Sequence, residues 1–112
     1  MTTEAADILG QSAPSALTLT DIYTVPAGKR TVISSIAICN RDGAVTINTR
    51  VSFAIGGAAD TAKQYLYHGL PVPPVDTFIA TIGVTLGAGV VVRVYTDVAS
   101  ASFQLFGVEI TP

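Results

Sequence analysis

Apolar and polar side chains alternate with a period of two along most of this chain. Leu17 and Leu19 alternate with Thr18 and Thr20, then Ile22 and Tyr23 lead to Val25. In the next run Val32, Ser34, Ile36 and Ile38 share one face, and Ile33, Ser35, Ala37 and Cys39 share the other. Period two marks extended β structure, in which successive side chains point to opposite faces. Pro26-Ala27-Gly28-Lys29 separates the runs. Proline fixes φ for an early turn position and glycine supplies the positive φ of a later one, so this segment predicts a hairpin or tight corner. Apolar groups on both faces of Thr31–Cys39 predict a central strand.

Asn40-Arg41-Asp42-Gly43 reads as a turn, and the clearest alternation follows it. Val45, Ile47, Thr49, Val51, Phe53 and Ile55 face one way, with Asn48, Arg50 and Ser52 opposite. That spacing predicts an antiparallel sheet with one buried face. Gly56 to Asp60 breaks the pattern before a strand over Ala62–His68. Pro71, Pro73 and Pro74 make 69–75 a loop or an edge, because proline donates no ladder hydrogen bond. Thr77–Leu86, Val90–Thr96 and Ser100–Ile110 complete the series. Short strands with regular turn signals predict an all-β antiparallel sandwich of about seven to eight strands. Jelly-roll and immunoglobulin-like Greek-key orders both satisfy this pattern, as does a small barrel. Residues 17–112 form the predicted β-sandwich domain. Residues 1–16, rich in small side chains and carrying Gly10 and Pro14, support at most one helical turn around Ala5–Leu9 and predict an extended N-terminal arm.

Charge changes the picture more than hydrophobicity does. Charged residues make up 12% of the chain, against about 25% in an ordinary soluble domain. Threonine, serine, alanine and glycine must therefore cover much of the surface, which suits a subunit packed against neighbours in a homo-oligomer or larger assembly. Net charge is −2, and the basic residues are scattered, so no nucleic-acid stripe is present. Met1–Ala16 does not read as a signal peptide, and no run reaches the ~18 apolar residues of a membrane helix. The lone cysteine, Cys39, reads as a small buried side chain.

Candidate chemistry is sparse. His68 has no second histidine or cysteine to share a metal, and no nucleophile motif accompanies it, so no catalytic, cofactor or metal site is predicted. Asp21, Asp42, Asp60, Asp76 and Asp97 sit near strand ends, where carboxylates hydrogen-bond turn backbone. Gly83, Gly87 and Gly89 precede no helix and read as turns, not a phosphate loop. Two groups remain as candidate partner-binding residues. Tyr65 and Tyr67 share one strand face and, with Tyr95, offer a platform for carbohydrate or a neighbouring subunit. Ile8 and Leu9 form a short apolar tag within the arm.

Ile22 to Ile36, Cys39-Asn40-Arg41, Lys63 to Tyr67, Val92 to Tyr95 and Phe103 to Thr111 occur in an order that resembles a family of small all-β structural proteins of tailed bacteriophages. The resemblance covers roughly residues 17 to 111. It implies a non-enzymatic virion component, either a capsid decoration (cement) protein bound to the major capsid protein or a tail or tail-fibre accessory. It further implies synthesis in the host cytoplasm, a place on the head surface ahead of the tail, and no cofactor, nucleic-acid or membrane partner.

Overall fold

A computed structural model of the chain describes residues 2–112. Eight strands follow one another: β1 Thr3–Ser12, β2 Thr20–Thr24, β3 Arg30–Asn40, β4 Ile47–Ala54, β5 Tyr65–Val72, β6 Thr77–Leu86, β7 Val91–Thr96 and β8 Ala101–Thr111, with a short 3-10 turn at Ile55–Gly57. Two four-stranded sheets result. Sheet A has the order β1-β8-β3-β6 and sheet B the order β2-β7-β4-β5. Every pairing is antiparallel. The all-β antiparallel expectation is met.

The core lies between the middle strands of the two sheets. Ile33, Ile36 and Ile38 of β3 and Phe103 and Leu105 of β8 meet Ile47 and Val51 of β4 and Val92 and Val94 of β7, all at most 1% exposed. Burying each such side chain contributes about 1.5–3 kcal/mol. Pro26–Lys29 is a corner between sheets and not a hairpin, since β2 belongs to sheet B and β3 to sheet A. The Lys29 N–H donates to the Pro26 carbonyl at 3.2 Å across Gly28, whose φ of 74° fills the left-handed position.

Bulges account for the places where strict alternation fails. β3 is central, but its two-faced apolar pattern arises from a register shift between Ile33 and Ser35. Thr31 and Ile33 face the core before the shift, and Ile36, Ile38 and Asn40 after it. One extra residue exchanges the faces of everything that follows. Cys39 consequently lies half-buried on the outer face, not in the core. In β4, Ile47, Thr49 and Val51 are buried as expected, whereas Val45 and Ile55 lie outside the strand at 47% and 82% exposure. Phe53 is only half-buried, at the end of the core.

The N-terminal segment departs furthest from expectation. Residues 3–12 do not stand off as an arm or form a helical turn; they pair along their length with β8 as an edge of sheet A. Ladder hydrogen bonds require no apolar period, which is why alternation did not reveal this strand. Thr3–Ile8 is exposed on both sides, and the chain turns inward only at the Leu9 bulge. Gly107 makes room there, because a Cβ at that position would collide with the Val32 carbonyl oxygen and the Leu9 side chain.

Candidate functional site: the outer face of sheet B

Direct cross-strand partners build this face. Arg50 on β4 lies opposite Tyr95 on β7 and opposite His68 on β5. Its guanidinium stacks on the Tyr95 ring at 4.3 Å, a cation–π contact. His68 meets Tyr65 edge to face, with ring centroids 4.7 Å apart. Tyr95, Arg50, His68 and Tyr65 thus form one row across three strands. Beside it, Thr61, Ala62, Tyr65 and His68 line a shallow recess of about 470 Å³. This row presents aromatic surface, one fixed cation and an imidazole to solvent, a set suited to stacking and hydrogen bonding.

Of the three tyrosines expected to form a platform, Tyr65 and Tyr95 lie in this row and Tyr67 does not. A register shift between Val51 and Ser52 separates Tyr65 from Tyr67. Tyr67 turns inward, packing edge to face on Phe78 at 5.3 Å. His68, set aside as chemistry at the sequence level, takes its place, and Arg50 joins from the neighbouring strand. Ile8 and Leu9 also part company: Leu9 packs against the core, while Ile8 remains 49% exposed opposite Phe106.

A partly buried ionic clamp lies at one end of the row. Arg93 donates from Nε to Asp21 at 3.0 Å, from Nη1 to Asp60 at 2.8 Å and to the Ala58 carbonyl at 2.6 Å, and from Nη2 to the Gly57 carbonyl at 2.7 Å. The Ser52 hydroxyl donates to the other Asp60 oxygen at 2.6 Å. These bonds fold the 55–64 loop over the outer face, where Ser52 and Ala54 become buried. Hydrogen bonds to Asp60 and then Asp21 raise the Arg93 pKa further above its ordinary value. Asp21 and Asp60 thus bind a cation, unlike the turn role expected of them. Asp42 does fill that role, accepting from the Ala44 and Val45 amides, which lower its pKa. Burial pushes the Asp97 carboxyl up, but backbone and side-chain hydrogen bonds from Asn48 outweigh it and leave the pKa lowered.

Two other polar groups hold the sheets together. Asn40, 1% exposed, donates from Nδ2 to the carbonyls of Val45, Val72 and Pro73, and its Oδ1 accepts from the Asp42 amide and the Ser100 hydroxyl. It ties three loops at one end of the sandwich. Tyr23 of sheet B donates to Glu109 of sheet A at 2.5 Å, and its oxygen lies 2.8 Å from the Thr31 hydroxyl. Burial, reinforced by that carboxylate, pushes the Tyr23 pKa up to about 12. Among the described residues no cluster of three or more His, Cys, Asp or Glu is placed to hold a metal ion, and no helix is long and apolar enough to cross a membrane.

No protein-family model matches this chain, and the search of curated proteins finds no similar sequence.

Proposed function

We propose that this chain is a non-enzymatic jelly-roll component of a tailed-phage virion, most simply a capsid decoration (cement) protein that binds and stabilises the head shell. The carrying observation is the strand order: β1 pairs with β8, and the two sheets read β1-β8-β3-β6 and β2-β7-β4-β5. This order favours a jelly roll over the immunoglobulin-like Greek key, in which the first strand does not pair with the last. Jelly rolls recur in viral capsid and lectin domains. The outer face of sheet A adds support, with Ile8, Val32, Ala37, Phe106 and Val108 along it and charge confined to Glu4 and Arg30 beside Ile110. Such a neutral surface suits contact with a protein lattice. The resemblance to phage structural proteins supports the same reading.

Labelling purified particles with an antibody to this chain, viewed by electron microscopy, tests it. Label spread over the head, and heads that melt at a lower temperature without the protein, are the expected results. Label at the tail sinks the decoration role in favour of a tail or fibre accessory. The row of Tyr95, Arg50, His68 and Tyr65 specifically favours that second reading, because such a surface suits a host glycan. A glycan array would then show binding that Tyr65→Ala and Arg50→Ala abolish.

A further inference from the structure

The free edges of the two sheets are protected unequally. Unpaired edge strands present open N–H and C=O groups to any other strand, and soluble proteins blunt them with charge, proline, bulges or shortness. On sheet B, β2 is five residues long and bulged at Ile22, and β5 carries Pro71 and two register shifts. On sheet A, β1 carries Glu4, Asp7 and the Leu9 bulge. β6 is different. Its ten residues, Thr-Phe-Ile-Ala-Thr-Ile-Gly-Val-Thr-Leu, contain no charge and no proline. Thr77 to Thr81 runs in unbroken register with β3, and the only slip lies beyond it, towards Gly83. Ile79 sits on the outer face at 68% exposure.

We infer that β6 pairs edge to edge with β6 of a second copy of this chain, joining two A sheets into one continuous eight-stranded sheet. Charge and symmetry select a second copy as the occupant. Antiparallel pairing about a two-fold axis sets each strand against itself, so a strand whose charges are all of one sign meets that same sign in its copy. β1 would bring Glu4 and Asp7 towards their copies, whereas β6 brings only neutral side chains. Pairing centred on Ala80 sets Ile79 opposite Thr81 on the outer face and Phe78 opposite Ile82 on the inner one. Both rows keep their faces, so the core and the neutral outer surface each continue into the partner. This pairing does not depend on where in a virion the chain acts.

The test uses the full chain and two double variants. Ile79 and Thr81 are both exposed, so replacing them leaves the core untouched. Sedimentation equilibrium at micromolar concentration is expected to give twice the 11.5 kDa chain mass. Ile79→Lys with Thr81→Lys places like charges opposite each other and is expected to weaken the dimer about tenfold or more. Ile79→Lys with Thr81→Glu places opposite charges across the same pairs and is expected to remain dimeric. Hydrogen exchange is expected to protect the outward β6 amides in the wild type and release them in the doubly lysine-substituted chain. A monomeric wild type overturns the inference. So does a dimer indifferent to both lysines, or a Lys/Glu variant as weak as the Lys/Lys one. Outward β6 amides that become protected only when particles are added overturn it as well, and identify a strand of another protein as the occupant.

Discussion

The two outer faces of this sandwich share one architecture and differ in chemistry. Sheet A shows half-buried Val32, Ala37, Phe106 and Val108, with nothing on it that demands a specific ligand. Sheet B shows Arg50 stacked on Tyr95, His68 against Tyr65, and a loop held down by the Arg93 clamp. Neutral side chains lose little on desolvation, so sheet A suits broad contact with protein. Charged and aromatic groups in fixed positions give direction to a contact, so sheet B suits selectivity. Both sheets carry charged residues, but only on sheet B are they fixed against aromatic rings and against one another, so the same sandwich offers two unlike surfaces.

The largest test of this contrast lies along β8. Phe103 is fully buried, while Phe106 on the same strand faces out and is half-buried. Phe103→Ala is expected to cost about 3–5 kcal/mol in urea unfolding, and Phe106→Ala about 1–2. Equal losses would mean that the outer face of sheet A is not a surface. Phe53→Ala belongs with the smaller class, since Phe53 closes only the end of the core.

Next comes the clamp. Arg93→Ala leaves Asp60, whose side chain is 6% exposed, without its cation, at an expected cost of about 2–4 kcal/mol. Limited proteolysis is expected to cut the 55–64 loop in this variant and spare it in the wild type. An uncut loop would show that the clamp does not hold it.

The link between the sheets has a pH signature. Tyr23 has an ordinary pKa of 10.0 that the fold raises to about 12. The phenol is neutral in both folded and unfolded chains below pH 10, so its contribution is fully present there. It is lost as pH rises towards 12, by about 1–2 kcal/mol once solvent screening of this partly exposed phenol is allowed for. Melting temperatures across that window are expected to fall more steeply for the wild type than for Tyr23→Phe. Parallel curves would show that Tyr23 ionises as freely in the fold as outside it.

The smallest stability effect is expected at the row itself. Arg50→Ala removes one cation–π contact, worth about 0.5–1 kcal/mol at an exposed site. A larger loss in thermal unfolding would make Arg50 a structural residue rather than part of a recognition surface.

Much of the sandwich was legible from residues alone. Alternation in Thr77–Leu86 places Phe78, Ala80, Ile82, Val84 and Leu86 inward, as the structure has them. The pairing of Phe103 with Leu105 against Phe106 with Val108 held equally. Both depend only on the two-residue pleat, a local property of extended backbone. The turn at Pro26–Lys29 was legible for the same reason, since proline and glycine restrict φ without help from the rest of the chain.

Tertiary structure decided what local chemistry leaves open. Whether β2 and β3 form a hairpin or pass between sheets depends on which strands lie beside them, and no residue in the turn encodes that. Bulges at Ser34 and at Leu66 reverse which side chains face inward, because they arise from the fit between neighbouring strands. This turned Tyr67 inward against the core and set His68 beside Tyr65. Arg50 and Tyr95 are far apart in sequence and meet only through the β4–β7 ladder. β1 shows the limit most plainly: Thr3–Ile8 has no buried face to read, and backbone hydrogen bonds to β8, which any sequence but proline can make, are what turn it into a strand.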